Sequence, residues 1–502
     1  MTAFDKPLIV YGALAYLLAM LAIGVWSFRR TRTHRDFFIA GQRVGIWVTG
    51  LGTMSAAFSG FVFLGGPGLT YRLGIASLFI VLPLGYTGGL LCWVLGRRLR
   101  KLASEREIFT VPDAIHARYG SRTVTGLAAL AVLFGTTAYL GLQIQALGIL
   151  LQSIFGTESL AWTMLLGLGV LVAYSIVGGM VAGVYTDLVQ GLMMLFAATA
   201  VFVQAVSVAG GWSAMVGSIA GAADFGVAFL EPLGRVPAFT AFGFFFVFGV
   251  GVLGQPQMLH KFYMLDDPAK LKWMPLVLSS SQAVCVLVWL GIGLAVPALV
   301  AQDRLAALAR PDAAAPIFLV QFAEPALAGL AVAAILAAIM STADSFINIG
   351  SAALVRDLPR AMGVRVADQL RWGRVAVLAV AGAAALIAYF YGDLIALLGT
   401  FAFGTFAAAL APALALGFNW TRVTPLAAGA SILTGLVVNV GLEFTAKQSF
   451  VDWIPRPPLA DGVLPAAVSL AASFTVLILI SALSGRRGER AVADDVRRLI
   501  EG

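Results

Sequence analysis

The sequence predicts an all-α integral membrane protein, a bundle of thirteen transmembrane helices. Three observations carry that prediction. Hydrophobic residues fill 60% of the 502 positions and charged residues only 12%, against roughly 45–50% and about 25% in soluble domains. Mean hydropathy is +0.92. The apolar residues also gather into stretches of spanning length, which requires about 20 residues of helix. Inside hydrocarbon each backbone polar group must find its partner within the protein, and a helix does this within one segment.

The stretches, α1 to α13, cover 7–27, 46–70, 75–97, 124–151, 160–178, 181–208, 237–262, 273–301, 325–356, 373–391, 394–418, 424–443 and 463–484. The run that forms α1 has no small-residue cleavage site after it, so it is expected to remain as a span. Between α3 and α4, residues Ser104 to Gly120 mix charged and apolar side chains, as a helix lying in the interface would. The segment between α5 and α6 carries Gly178-Gly179 and is expected to turn there. External segments 209–236, 302–324 and 444–462 hold acidic and Pro-rich stretches such as Pro455-Arg456-Pro457-Pro458. The chain is read as one transmembrane domain, 1–502.

The net charge of +8 arises from 33 Lys and Arg against 25 Asp and Glu. With the N-terminus outside, 26 of the 33 fall in inner loops and in the tail after Gly485. This asymmetry is the positive-inside rule, and it predicts an N-out, C-in, multi-pass protein of the cell's plasma (inner) membrane. The basic excess is thus a topology signal, with no nucleic acid implied. No Lys or Arg is placed in the interior of any span. Cys92 and Cys285 lie in apolar runs, with neither a disulfide framework nor metal-ligand spacing, and are read as core. His34, His116 and His260 sit at or beyond inner span ends and are read as interfacial.

Two spans are interrupted. Within α2 stand Ser55-Ala56-Ala57-Phe58-Ser59-Gly60 and Gly65-Gly66-Pro67-Gly68; α7 contains Gly249, Gly251 and then Gly254-Gln255-Pro256. Proline removes a backbone donor and clashes with the preceding turn, and clustered glycines ease unwinding. Gly/Pro-broken spans at matching positions of two halves point to a transporter's binding site. These two lie five helices apart, and an odd number inverts the second copy. The predicted repeats are α2–α6 and α7–α11, covering approximately 46–208 and 237–418, flanked by α1, α12 and α13. Ordinary kinks in unrelated helices would be the alternative.

Only two carboxylates fall well inside spans, Asp187 in α6 and Asp344 in α9. At about 1.5 Å per residue, Asp344 lies roughly 18 Å above Arg356 and Asp187 roughly 12 Å above Gly179, so one site can hold both. On α9, Ser341, Asp344, Ser345 and Asn348 share one face, flanked by Ala338 and Thr342. Such oxygens suit a hard cation, and an unwound α2 near Ser55 and Phe58 would add carbonyls. Taken singly, each hydroxyl would instead bond back one turn. Gln143 and Gln145 of α4 and Gln255 of α7 are polar groups in apolar spans, open to helix–helix bonding or solute contact. Phe61, Phe248 and Phe401 are core or lipid-facing by default; as solute contacts they group with Gln143 and Gln255.

Several motifs together resemble the sodium/solute symporter family. They are Met340-Ser341-Thr342-Ala343-Asp344-Ser345 with Ala352 to Leu358, Asp36 to Gly41, Val111-Pro112-Asp113 with Arg118-Tyr119-Gly120, Gly178-Gly179 with Thr186-Asp187 and Gln190, and Gly254-Gln255-Pro256. They run in order from about residue 36 to 425. The resemblance implies the five-plus-five, LeuT-like fold and sodium-coupled uptake of a solute by alternating access. It implies a sodium site made by carbonyls of Ser55 and Phe58, with Ala338, Ser341 and Thr342. Members with a second sodium use the residue at Asp187 with hydroxyls at Ser341 and Ser345. This chain departs there, because Asp344 replaces a hydroxyl; it could strengthen a second cation site, carry a proton, or leave one ion bound. Proline-transporting members carry Asp, Trp and Tyr where this chain has Ala57, Phe248 and Val252, which weakens an assignment to proline.

The expected partners are a small organic solute (amino acid, carboxylate, sugar or vitamin), Na+ and the lipid bilayer, with oligomeric state left open. Coupling to protons through Asp344 is one alternative, and a transporter-like membrane sensor is another. No nucleophile–base constellation appears, so an enzyme is not expected.

Overall fold

A computed structural model describes residues 7–28, 44–391, 394–446, 462–484 and 492–501. Helix dominates, and the only β pairing among the described residues is an isolated bridge between Val44 and Leu265. Each of the thirteen apolar stretches is helical. By length and apolarity, ten helices among the described residues can cross a membrane, and the described stretches Pro7–Met20 of α1 and Leu160–Val172 of α5 are apolar as well. The number falls below thirteen partly because the second half of α2 runs on into α3, giving Phe61–Glu105. Helix is assigned through α5 and α6, Leu160–Val208, and the turn expected at Gly178-Gly179 falls outside the residues whose side chains are described.

Both predicted interruptions are present. The first half of α2, Ile46–Ala57, stops at Phe58, whose backbone is extended (φ −95°, ψ 111°). Winding resumes as a wide π turn over Phe61–Gly65 and then as Gly66–Leu73. The first half of α7, Ala238–Val250, tightens into a 3-10 turn at Gly251–Gly254. Gln255 is extended, and Pro256 opens the second half, Pro256–Met264, at a position that needs no amide hydrogen. One glycine is obligatory for close packing: a Cβ on Gly66 would lie 2.2 Å from the Trp289 ring.

The broken helices sit in the middle of the bundle. The first half of α2 packs against α6, α9, α8 (Met274–Ala301) and the second half of α7. The core helix α9, Pro325–Ala352, contacts α1, α4 and α6, and α11, Ile395–Ala415, contacts α4, α12 and α13. Cys92 and Cys285 are buried free thiols, as expected of core.

At the end of the bundle predicted to face inward, polar contacts tie connectors to helix ends. The Ser104–Gly120 connector contains a helix, Val111–Tyr119, started by a capping box of Thr110 and Asp113. The Asp113 carboxylate accepts from Arg356 Nη1 at 2.7 Å and Arg360 Nη1 at 3.0 Å. Arg118 donates to the carbonyls of Gly417, Trp420 and Val423, closing the end of α11. His116 Nδ1 lies 3.0 Å from Thr125 Oγ1; burial, then the nearby Arg360, holds its imidazole below the usual histidine range.

Candidate functional site

The break in α2 has a direct backbone consequence. Phe58 N–H still donates to Met54 O, but the next amides turn elsewhere: Phe61 N–H to Ser59 Oγ and Gly60 N–H to Gln143 Oε1. The carbonyls of Ser55 and Ala56 are thereby released from regular helical pairing. Both face α9. Ser341 Oγ donates to Ser55 O at 2.9 Å and lies 3.2 Å from Ala338 O, while Thr342 Oγ1 donates to Ala56 O at 3.3 Å. All five residues are fully or almost fully buried.

This is a compact set of neutral carbonyl and hydroxyl oxygens from two helices. Such a set offers a monovalent hard cation oxygen ligands in place of water, without anchoring it by full charge. Of the predicted sodium residues, Ser55, Ala338, Ser341 and Thr342 come together here. Phe58 contributes the extended bend. Ala56, absent from the prediction, presents the second α2 carbonyl to α9; which carbonyls turn inward depends on where the break falls, and the Ser55–Gly60 run fixes that only to within a turn.

The second set of predicted residues lies where α6 faces α9. Asp344 accepts from Asn348 Nδ2 at 3.3 Å, and its other oxygen faces α6, since a Cβ on Gly183 would sit 3.0 Å from it. Asp187 lies one turn beyond Gly183, packed against Gly52 of α2. Ser345 is buried on the same face of α9. Gln190, another turn along α6, donates to Tyr16 of α1 at 2.8 Å.

The expectation that no basic side chain enters the span interior needs correcting. Lys261, grouped in sequence with the inner loop, is buried to 3% exposure, and its Nζ donates to Asp187 Oδ2 at 2.5 Å. It rides on the short half of α7 after Pro256, which is packed along all of Pro256–Met264. The usable signal was a lysine two turns past a helix break in a chain with an intramembrane acid to match. His260 is likewise buried beside it.

The predicted solute contacts divide. Phe61 of α2 and Phe248 of α7 stack with centroids 5.5 Å apart, so the two broken helices meet through their aromatic rings. Phe403 of α11 stacks on Phe248 at 4.4 Å, and Trp289 of α8 meets Phe61 edge-on at 5.8 Å. Gln143 reaches the same place through Gly60, and its buried Nε2 has no protein partner. Gln255 instead donates to Gly251 O and Phe403 O, satisfying backbone at the α7 break. Phe401 lies on the other face of α11, edge-on to Phe134 of α4. Phe403 and Trp289, not among the predicted solute contacts, join this aromatic cluster; an aromatic residue in an apolar span has no local feature that says which rings it will meet.

Comparison with known proteins decides the family. The sodium:solute symporter family model matches residues 37–435. The chain belongs to that family. Among curated relatives, a sodium/proline symporter of Haemophilus influenzae is 29% identical over 503 residues, covering 97% of this chain and 96% of the relative. A sodium/proline symporter of Escherichia coli is 29% identical, covering 88% and 89%. The high-affinity proline transporter PutP of Bacillus subtilis is 29% identical, covering 93% and 97%.

Among solved structures, the substrate-bound outward-open state of a Na+-coupled sialic acid symporter aligns with a TM-score of 0.74 at 19% identity, covering 95% of this chain and 98% of the other. A nucleobase-cation-symport-1 family transporter, closed with bromovinylhydantoin bound, aligns at 0.51 and 13%, covering 93% and 98%. At these identities the likeness is one of fold. The family member is therefore a transporter and not an enzyme, with the five-plus-five architecture predicted from its two broken helices.

Proposed function

We propose that this symporter imports a small organic solute together with sodium across the plasma membrane, by alternating access of the 46–208 and 237–418 repeats around the two broken helices. Sodium binds between the opened end of the first half of α2 and the hydroxyl face of α9. The observation that carries the reading is the pairing of Ser341 and Thr342 with the Ser55 and Ala56 carbonyls. One end of this site belongs to each repeat, so an ion bridging them favours a particular relation between the two. Solute binding next to that ion then commits both to the same transition.

The solute binds among Phe61, Phe248, Phe403 and Trp289, whose rings meet one another, and beside Gln143. Rings offer apolar contact and faces for a compact ligand, and the buried Gln143 Nε2 offers a donor for a carboxylate or carbonyl. Proline is the first solute to test, because the relatives named above are proline transporters; other small zwitterions and monoanions follow, since Ala57, Phe248 and Val252 alter the wall. The N-terminus lies outside and the C-terminus inside, as the placement of basic residues supports.

A thermal-shift screen of proline, other amino acids, short carboxylates, sugars and vitamins, with and without sodium, tests the reading. A ligand at 100 times its Kd stabilises the protein by about 2.7 kcal/mol. The expected outcome is one chemical class that raises the melting temperature more in sodium than in choline. Equal shifts in both salts would reject the coupling.

A further inference from the structure

We propose that Lys261 is a built-in cation for Asp187, and that this symporter consequently binds one sodium ion per cycle, at the α2–α9 junction. The proposal rests on the sodium-symport reading and sets its stoichiometry. Three observations support it. The ammonium donates directly to the carboxylate at 2.5 Å. Both side chains are almost wholly buried, at 2% exposure for Asp187 and 3% for Lys261. Both are also held on packed elements, Asp187 against Gly52 of α2 and Lys261 on the α7 half-helix that packs along that same half of α2.

Charge then sets the number of ions. Three charged side chains are buried in this part of the bundle, the carboxylates of Asp187 and Asp344 and the ammonium of Lys261, with Asp344 facing Gly183, one turn of α6 from Asp187. One sodium at the carbonyl–hydroxyl site brings the formal sum to zero. A second sodium at Asp187 and Ser345 would leave a net positive charge in a medium that screens poorly, and would have to compete with an ammonium fixed at contact distance. A tethered cation needs no dehydration on each cycle, and it joins the first helix of the second repeat to the last helix of the first. Lys261 is thus a residue that sets ion number, and it does so through its ion pair with Asp187 of α6.

The test counts sodium on the intact purified chain with 22Na+, so no solute need be known. Wild type is expected to bind one ion per chain, with a Hill coefficient near one. In Lys261→Gln the carboxylate loses its ammonium, and a second saturable ion with a Hill coefficient above one is expected. Lys261→Arg, and the double variant Lys261→Gln/Asp187→Asn, should each return the count to one. Asp187→Asn should weaken sodium binding without changing the count, because it leaves a buried positive charge nearby. Two ions on wild type, falling to one in Asp187→Asn, would overturn the proposal, as would Lys261→Gln remaining at one. Wild type with no saturable sodium binding would instead overturn the symport reading on which the proposal stands. If Lys261→Gln does not fold, the wild-type count and the Asp187→Asn count still decide the matter.

Discussion

Removing the α9 hydroxyls one at a time probes the sodium site through sodium dependence. Ser341 Oγ touches two carbonyl oxygens, Ser55 O at 2.9 Å and Ala338 O at 3.2 Å, whereas Thr342 Oγ1 touches Ala56 O at 3.3 Å. A polar contact to a charged partner is worth about 1.5–3 kcal/mol. At 1.4 kcal/mol for each factor of ten, Ser341→Ala is expected to raise the half-saturating sodium concentration about 10- to 100-fold. Thr342→Ala should fall at the lower end of that range, and Thr342→Ser, which keeps the oxygen, close to wild type. The fold should tolerate each change, because a neutral hydrogen bond lost within a helix pair costs only about 1 kcal/mol. The assay is uptake, or sodium-dependent thermal stabilisation, across a sodium titration with choline replacement. Sodium curves for both alanine variants that overlay wild type would refute the ligand assignment.

Three further outcomes follow from the geometry. Gly60→Ala brings a Cβ within 2.6 Å of Ala146 Cβ and 3.3 Å of Gln143 Oε1; overpacking of this kind costs about 1–3 kcal/mol, and uptake should fall more than surface expression does. Asp113→Ala removes the buried acceptor of Arg356 and Arg360, while Arg356 keeps Asp357 and Arg360 reaches solvent, so stability measured by detergent melting should drop by about 1–3 kcal/mol, whereas Asp495→Asn, at the more exposed Arg106 pair, should cost about 1 kcal/mol or less. For His116, whose protonation is disfavoured in the folded chain, the unfolded chain binds the proton more readily, so stability present above the ordinary histidine range is lost as pH falls through it; His116→Gln should flatten that part of the melting-versus-pH curve, and an unchanged slope would rule His116 out as its source.

Much of this was legible in the sequence because the membrane restricts what a chain can do. Thirteen apolar stretches had to be helices, and Gly/Pro clusters at 55–68 and 249–256 had to disturb two of them, as Phe58 and Gln255 do. Spacing of 3 and 4 residues placed Ser341 and Asp344 on one face without any tertiary knowledge. The misses share a physical cause. Ala56, Phe403, Trp289 and Lys261 stand out only through what lies opposite them, and opposition across helices is not encoded in the local pattern. Lys261 misleads most, because a lysine near a span end ordinarily extends to water; here the break at Pro256 leaves a short half-helix packed inside the bundle, with Asp187 waiting.

The decisive measurement is solute uptake into proteoliposomes under an imposed inward sodium gradient at equal pH, set beside an imposed pH gradient with sodium absent. With proline, or whichever solute the thermal screen selects, accumulation above equilibrium is expected under the sodium gradient and should vanish when that gradient is collapsed. Accumulation driven by the pH gradient alone would contradict the account and transfer the coupling role to Asp344.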